Sequence, residues 1–429
     1  MAARDAEVKR TARAARDRAA ADGSLVWDPF DPAWRHDPHG VYAELRRRNP
    51  VHRSPLGFWV FTRHADCLAV LRNRRSSSDA RNVDPERFAA LRSFRPDEDP
   101  MAEVIQELEP FLFRDPPDHT RLRGLVQKAF TPKVVEGLRP RITELCGELL
   151  DAMIERGTAD LVADYAYPLP VQVIVEMLGV PAEDHAQFRT WSEALARGLD
   201  PDFLLPTEAV QERLAGILNF VQYFAALVAE RRSRPGDDLL SRLIAAEDEG
   251  SVLSQGELIS TCILLLVAGH ETTVNLISGA TLALLEHRHQ LERLRDDPSL
   301  DRPAVEELMR YVSPVQLTGR AALEPMTVGG TRLDAGDFAM LLVGSANRDP
   351  AVFDRPDDLV LSRAENPHLG FGFGLHHCLG AALARVEAQI ALGTLLRRAD
   401  VDGPAGPLVQ KDNIVLRGLE SLPVELSRR

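Results

Sequence analysis

The chain is 429 residues long, and 45% of its residues are hydrophobic while 27% are charged. This apolar content excludes a disordered chain and fits an ordinary globular protein. The formal net charge of -13 argues against a nucleic-acid-binding protein, because such proteins need a sustained positive field to bind phosphates. The four cysteines are widely spaced and form no C-x-x-C pair, which favours a reducing cytoplasm over a disulfide framework or a zinc ribbon.

The first 23 residues carry six basic side chains that Asp5, Glu7 and Asp17 interrupt, and they lack the apolar core of a signal peptide. We interpret residues 1–23 as a frayed, solvated helical arm. The rest of the chain contains no long linker and no internal repeat. We therefore predict a single domain over residues 24–429 and a monomer.

A strand is predicted at Gly57–Thr62, ahead of a mainly helical region from about Glu103 to Tyr311. Two irregular stretches, Asp79–Pro117 and Gly198–Pro206, are predicted to be loops. Three segments repeat apolar residues at helical spacing: Lys133–Glu155, Thr207–Arg232 and Leu239–Asp248.

The longest strongly apolar run, Leu258–Ala268, has about half of the roughly 20 residues that a bilayer span needs. We predict a buried helix from about Ser254 to His287 and no membrane span. Three further stretches are predicted to contain strands: Met326–Leu333 with a turn at its two glycines, Phe338–Val343 and Ile414–Leu426. The expected fold is mainly α, a large helical domain with small β-sheets.

The most informative segment is the glycine-rich run Phe371–Gly380, which contains Cys378 and precedes a helix predicted over Ala381–Arg398. Gly370 just before the run and the glycines at 372, 374 and 380 within it permit left-handed backbone and a close approach to a flat ligand. A helix start stabilises a thiolate, which favours metal binding by the cysteine. The loop alone is equally compatible with an inert buried thiol. Zinc binding by the adjacent His376, His377 and Cys378 is disfavoured, because neighbouring residues rarely point at one metal.

This run resembles the signature of the cytochrome P450 family, F-x-x-G-x-H-x-C-x-G. The fixed positions are Phe371, Gly374, His376, Cys378 and Gly380. The resemblance implies the P450 fold and a haem b (iron protoporphyrin IX) whose iron is ligated by the Cys378 thiolate. It also implies that the loop, including residue Gly372, contacts this cofactor.

A second motif, the run from Ala268 to Thr273 (AGHETT), places an acid and a hydroxyl within the apolar helix. Buried polar groups cost stability unless they are paired or used. By itself the run is also compatible with a solvated kink or with a threonine bonded to its own helix. The resemblance implies that Thr272 hydrogen-bonds dioxygen and that Glu271 relays protons, while Ala268 and Gly269 open a groove for oxygen and substrate.

A third motif is the pair Glu307 and Arg310, which share a helix face because residues three apart are neighbours. An exposed pair of this kind is commonplace and contributes little. The resemblance implies a buried structural pair that an arginine of a later P-x-R-F stretch completes. Asp358 stands in that arginine's place here, so Arg355 or Arg363 is expected to substitute for it.

A fourth motif places His119 and Arg123 four residues apart on one predicted helix face, where they could bind an anion together. A simple surface position is the alternative for either residue. The resemblance assigns both, together with Arg320 and His376, to the two haem propionates. Four cationic or donor groups around two carboxylates are sound electrostatics.

The resemblance also implies a substrate pocket between the irregular stretches, the oxygen-binding helix and the last hairpin. Its expected lining is apolar: Ala268, Gly269, Val315, Leu317, Val415 and Leu416. A small hydrophobic substrate follows, such as a macrolide or other polyketide, a terpenoid or a steroid-like molecule of secondary metabolism, including antibiotic biosynthesis.

The expected activity is that of a monooxygenase that hydroxylates or epoxidises this substrate with O2. The chain has no flavin or nicotinamide fingerprint and no cysteine set for an iron–sulfur cluster, so a separate ferredoxin and ferredoxin reductase are expected as electron donors. Such acidic carriers would dock on a local basic patch. The alternatives are a non-oxygenating P450 (coupling, dehydrating or nitrating), a peroxide-driven peroxygenase and a haem sensor. The acid–alcohol pair of residues 271 and 272 argues against the last two.

Overall fold

The computed structural model describes all residues except 1–9, 11–12, 15, 18–20, 32–33, 35–36, 55, 88–107, 198–199, 201–204 and 247–249. The predicted arm at residues 1–23 and the two predicted loops at 79–117 and 198–206 therefore lie partly outside the described residues.

Helices dominate the described chain. They are α1 Pro38–Arg48, α2 His64–Arg72, α3 Asp118–Ala129, α4 Pro132–Gly137, α5 Arg139–Arg156, α6 Pro168–Leu178, α7 His185–Arg197, α8 Thr207–Ser233, α9 Leu239–Ala245, α10 Gln255–Glu286, α11 Arg288–Asp296, α12 Asp301–Val312, α13 Val343–Ala346 and α14 Ala381–Arg398. The helix predicted over Lys133–Glu155 is two helices, since the chain breaks at Leu138. The long helices around residues 207 and 255 and the helix after the cysteine loop are confirmed.

Strands are short. They are β1 Val51–Arg53, β2 Trp59–Phe61, β3 Ser76–Ser77, β4 Thr158–Asp160, β5 Thr318–Ala322, β6 Met326–Val328, β7 Thr331–Leu333, β8 Phe338–Leu341, β9 Ala399–Asp402, β10 Val409–Gln410, β11 Leu419–Ser421 and β12 Pro423–Arg428. The largest sheet has the order β1-β2-β8-β5-β3, in which β2 and β8 are parallel and the other pairs are antiparallel. A second sheet has the order β4-β12-β9, and β6-β7 and β10-β11 form separate pairs.

The strand predictions are confirmed with one correction. The turn between β6 and β7 is made by Gly329 and Gly330, whose φ angles are 56° and 77°, values that favour glycine. The predicted strand Ile414–Leu426 is wrong in its first part, because strand pairing with β10 begins only at Leu419. The N–H groups of residues 414 and 415 donate to the Asp200 carboxylate instead of to a neighbouring strand.

Local sequence signals fix the ends of the helices around the core. At the start of α10, the Ser254 and Glu257 side chains accept from each other's backbone N–H groups in a capping box. Asp238 caps α9 by accepting from the Ser241 N–H at 2.7 Å. Gly157 ends α5 in the left-handed conformation with φ 72°.

Helix α10 runs through the main hydrophobic core and packs against α6, α7, α8, α12 and α14. By length and composition it could cross a membrane, but 61% of its most apolar stretch is buried inside the protein. That degree of burial is typical of a core helix. The buried helix predicted around Leu258–Ala268 and the mainly α fold with small sheets are confirmed.

Candidate functional site

The cysteine loop lies against the end of α2 and leads into α14. Left-handed backbone occurs at Gly372, with φ 67°, and at Gly374, with φ 73°. A Cβ at Gly374 would lie 2.6 Å from the carbonyl oxygen of Leu71, so only glycine fits there. The Cys378 N–H closes the loop by donating to the Phe371 carbonyl at 2.8 Å.

The other two glycines of the loop do not need left-handed backbone, which corrects the expectation for all four. Gly370 permits close packing, because a Cβ there would lie 2.9 Å from the Met309 sulfur. Gly380 has φ -81° at the start of α14, and a Cβ there would meet no atom within 4 Å.

The Cys378 thiol is exposed at the surface of the loop, although protein atoms surround much of it. This burial raises the pKa of Cys378, while the N–H groups of Gly380 and Ala381 and the charges of Arg123 and Arg385 act in the opposite direction. The start of α14 therefore stabilises a thiolate, as predicted, but does not outweigh burial by itself. A coordinated metal cation would add the missing positive charge.

Sequence reasoning misses Arg385, which supports the cysteine loop from α14. Its guanidinium carbon lies 4.2 Å from the centroid of the Phe371 ring. Glu306 accepts from its Nε at 2.6 Å and from its Nη2 at 2.9 Å. Glu306 also lies 3.1 Å from His368 Nε2. A sequence signal exists, because Arg385 lies in the first turns of the helix that follows Cys378, four residues after its start at Ala381.

His119 and His376 lie together, as predicted. Their ring centroids are 4.2 Å apart. His119 is 1% exposed, and neither of its ring nitrogens has a hydrogen-bond partner among the described residues. Burial and the positive charges of Arg320, His119 and Arg123 lower the pKa of His376 to about 3. Buried ring nitrogens without partners indicate a site built for a ligand.

Arg123 and Arg320 complete this group, because both influence the two histidines electrostatically. Arg123 Nη2 donates to the His377 carbonyl at 2.6 Å, and Arg320 Nη1 donates to the Gly319 carbonyl at 2.6 Å. Burial lowers the pKa of Arg320 to about 10, although Asp115 acts in the opposite direction. Among the described residues neither arginine forms an ion pair within 4 Å of a carboxylate oxygen, and the charge of Asp115 acts on Arg320 only from a greater distance, so this cluster of donors carries an excess of positive charge.

One face of α10 is accessible although most of the helix is buried. Leu264, Ala268 and Thr272 follow each other at four-residue spacing and so lie on one face. Ala268 is exposed, and the other two are half-buried. Gly269, next to Ala268, is also half-buried, and a Cβ there would lie 3.5 Å from Ile174 of α6. Accessible positions of α10 thus cluster around Ala268.

The acid and the alcohol of the predicted relay bond to different partners. Thr272 Oγ1 donates to the Ala268 carbonyl at 3.0 Å, within its own helix. Glu271 is 3% exposed and lies 2.8 Å from Lys411 Nζ and 3.4 Å from His270 Nε2. Burial acts to raise the pKa of Glu271, but His270 and Lys411 outweigh it and lower this pKa to about 2. Sequence reasoning misses Lys411, which lies 140 residues away in the chain.

The Glu307–Arg310 pair is buried, as the resemblance implies, and both side chains are 0% exposed. Two parallel hydrogen bonds of 2.8 Å join them. Arg363 completes the network, because its Nε donates to Glu307 at 2.9 Å. Arg355 is instead exposed and lies 3.4 Å from the Asp358 carboxylate. Of the two candidate substitutes for the missing arginine, Arg363 is the one the structure supports.

Comparison with known proteins gives the family. The Cytochrome P450 family model matches residues 300–419. The polyketide biosynthesis cytochrome P450 PksS of Bacillus subtilis is 41% identical over 415 residues, which cover 94% of this chain and 99% of PksS. This chain is a cytochrome P450.

Other relatives agree with this membership. The solved structure of PksS superposes on this P450 with a TM-score of 0.83 at 39% identity, covering 94% of this chain and all of that one. The vitamin D(3) 25-hydroxylase of Pseudonocardia autotrophica is 40% identical over 416 residues, which cover 95% of this chain and 98% of that enzyme. The chain is accordingly an oxidoreductase of the P450 monooxygenase class.

The cofactor of this P450 is haem, and the residues present fit it. Cys378 offers an accessible thiol with two backbone N–H donors beside it. The unpartnered His119 nitrogens and the two arginines without carboxylates match a dianionic edge. The accessible face of α10 leaves room beside Ala268 in an otherwise buried helix.

The structure brings together only some of the predicted pocket residues of this P450. Val315 and Leu416 face each other in an isolated antiparallel bridge, and Val415 next to them is half-buried. Leu317 is 2% exposed and belongs to a core cluster that includes Trp27. Leu416 is similarly buried at 3% exposure, and Val415 packs against the cluster that contains Leu317.

Proposed function

We propose that this P450 hydroxylates or epoxidises a hydrophobic small molecule of polyketide type, with O2 and electrons from a ferredoxin. The observation that carries the proposal is the acid–alcohol pair Glu271–Thr272 beside the accessible face of a helix that is otherwise apolar. A positioned acid and alcohol of this kind can deliver protons to reacting oxygen. A haem protein that only senses a ligand has no use for it.

In this proposal Cys378 is the iron ligand and the donors around His119 hold the haem propionates. Once bound, the haem supplies the activation of dioxygen, and the protein supplies binding, orientation and protons. The cofactor-binding residues of the proposal are His119, Arg123, Arg320, Phe371, Gly372, His376, Cys378 and Gly380. The excess positive charge of Arg123 and Arg320, neither of which pairs directly with a carboxylate among the described residues, supports the assignment to an anionic edge.

The proposed relay consists of two side chains. Thr272 Oγ1 already donates its proton to the Ala268 carbonyl, so its lone pairs remain available to accept a hydrogen bond on the accessible face. The Glu271 carboxylate lies one residue earlier and points toward Lys411, which is 20% exposed and thus in contact with solvent. Protons would enter from that side.

The proposed pocket is lined by Ala268, Gly269, Val315, Leu317, Val415 and Leu416. Leu317 and Leu416 are both buried, at 2% and 3% exposure, and Val415 packs against the cluster that contains Leu317. An apolar lining favours a hydrophobic substrate. The names of the two relatives support this class, since one is named for polyketide biosynthesis and the other for vitamin D(3) hydroxylation.

A basic and apolar surface beside the cysteine loop is the proposed ferredoxin site. Arg72 and Arg74 are exposed at the end of α2, and in the part of the chain that the structure describes neither lies within 4 Å of a carboxylate. Phe373 is 37% exposed, and the Arg72 guanidinium lies 4.6 Å from its ring centroid. Leu375 is 44% exposed. Such a surface complements an acidic electron carrier.

The test of ligation is the spectrum of the reduced, carbon monoxide-treated protein. We expect the red-shifted Soret band of a thiolate-ligated haem, and we expect Cys378→Ala to lose that band. A globin-like band in well-folded wild-type protein would contradict the assignment.

The test of the reaction is turnover of a macrolactone and steroid panel with NADPH, ferredoxin, ferredoxin reductase and isotopically labelled O2. A product that carries one labelled oxygen atom supports the proposal. Oxidised product without label indicates a non-oxygenating P450, and turnover only with added peroxide indicates a peroxygenase.

A further inference from the structure

Lys411 is the residue outside α10 that holds the buried Glu271 carboxylate. It lies just after β10, and its Nζ is 2.8 Å from Glu271 Oε2. The other cationic or titratable group within 4 Å among the described residues is His270, whose Nε2 is 3.4 Å from Oε1. The Nδ1 of this histidine lies 2.7 Å from the Leu266 carbonyl, which ties the ring to its own helix.

This contact affects what Glu271 can do. An acid relays protons only if it can both accept and release them near the working pH. Burial acts to raise the pKa of Glu271, but His270 and, to a smaller extent, Lys411 lower it to about 2. In this arrangement the carboxylate stays ionised and directed at the ammonium group. Movement of Lys411 away would remove the ammonium group that holds the carboxylate and free the side chain to turn.

The hairpin that carries Lys411 is anchored at the central helix. The Lys411 N–H donates to the Gly418 carbonyl at 2.9 Å. Gly418 lies so close to α10 that a Cβ there would clash with the Asn275 side chain. The backbone that carries Lys411 is therefore fixed next to Glu271. Only the lysine side chain is free to move in this contact.

The same hairpin reaches the proposed pocket and solvent. Leu416 pairs with Val315, and Lys411, Asn413 and Ile414 line a small crevice of about 10 Å³ together with Gln316 and Arg417. Polar side chains make up most of the lining of this crevice, which lies beside Lys411. Lys411 thus stands between the buried carboxylate and this polar crevice.

We propose that Lys411 is a positioning residue that restrains Glu271 in the substrate-free enzyme and so limits proton delivery to the oxygen site. The proposal rests on the proposed function, since it requires Glu271 to be a proton relay. It assigns Lys411 no contact with substrate or cofactor. Its effect is exerted through the carboxylate alone.

The test uses the substrate-free holoenzyme with NADPH, a plant-type ferredoxin and its reductase. Without substrate, the electrons from NADPH reduce O2 either to peroxide (O2 + 2e⁻ + 2H⁺ → H2O2) or, when more protons are delivered, to water (O2 + 4e⁻ + 4H⁺ → 2H2O). The measured quantity is the share of NADPH electrons that ends in peroxide, together with the solvent deuterium isotope effect on NADPH consumption.

Lys411→Met should raise the share of NADPH electrons that ends in water by about threefold relative to wild type. It should also reduce the solvent isotope effect on NADPH consumption, because the freed acid delivers protons faster. Lys411→Arg should restore wild-type values, since it keeps the charge. Glu420→Gln, an exposed change on the same hairpin, is the matched control. The carbon monoxide band and melting temperature verify that each variant is folded.

The double variant Glu271→Gln/Lys411→Met separates this role from a general effect on the fold. It should behave like Glu271→Gln alone, because Lys411 acts only through the carboxylate. If Glu271→Gln increases peroxide but Lys411→Met equals wild type or also increases peroxide, the restraint is refuted and the relay stands. If Glu271→Gln itself changes nothing, the proposed relay is wrong, and this proposal fails with it.

Discussion

Glu307 on α12 and Glu271 on α10 are both buried carboxylates paired with a cation, yet their surroundings differ. Glu307 accepts from Arg310, from the Val360 N–H at 2.9 Å and from the Asn366 amide at 3.2 Å. Arg363 adds a further bond. Within the described part of the chain, Glu271 has the Lys411 ammonium at bonding distance and His270 at 3.4 Å.

The difference shows how burial and bonding together separate a structural acid from a reactive one. A fully satisfied buried network rigidifies its region and is destabilising to break. A buried carboxylate with one mobile partner can change partner at low cost. The E-x-x-R region is therefore expected to determine stability, and the α10 face to determine chemistry.

Breaking the Glu307 network should have the largest effect. Glu307→Gln leaves the fully buried Arg310 without its counter-charge, so we expect a loss of about 3–5 kcal/mol of folding free energy. The measurement is thermal unfolding by circular dichroism at fixed haem loading. Glu44→Gln, which removes an exposed pair with Arg47, should change the melting temperature little. Equal effects of both changes would contradict the comparison.

Removal of the substitute arginine should have the next largest effect. Arg363→Met deletes one charged bond to Glu307, for which we expect a loss of about 1–3 kcal/mol. Arg355→Met is the matched control, because Arg355 is the other arginine of this stretch but is exposed. Comparable melting temperatures of the two variants would mean that Arg363 does not complete the network.

The pH dependence of stability should show a smaller effect at Glu306. Burial raises the pKa of Glu306, but Arg385 and His368 outweigh it and hold this pKa at about 2, below its ordinary value of 4.5. Its contribution, about 1 kcal/mol for a partly exposed pair, is complete above pH 4.5 and is lost as the pH falls toward 2. Glu306→Gln should melt below wild type at pH 7, and this gap should close below pH 4.5. A gap that is constant with pH would exclude the ion pair as its cause.

Thr272→Ala should have the smallest effect on stability and a clear effect on chemistry. The hydroxyl bonds only to its own helix, so we expect a change within about 0.5–1 kcal/mol in unfolding free energy. Peroxide formation per NADPH should increase, and Thr272→Ser should reverse the increase. An unchanged peroxide yield would remove Thr272 from the relay.

Much of the fold and the core of the site could be predicted, because local signals encode them. The helix over Ala381–Arg398 and the turn at residues 329–330 depend on neighbouring residues alone. The extent of the last strand could not be predicted, since Asp200 lies 214 residues from Ile414. The sequence also does not show whether Arg363 or Arg355 binds Glu307, or that Lys411 binds Glu271. Both contacts join segments that are far apart in the chain.

Glu257 at the start of α10 has a further consequence. It completes the capping box of α10 and also forms an ion pair with Arg121 of α3, the helix that carries His119 and Arg123. One carboxylate thus joins the helix of the accessible face to the helix of the anion-binding donors. The ion pair fixes the position of α10 relative to α3. A shift of either helix along its axis would therefore have to break this ion pair before the accessible face and the anion-binding donors could move apart.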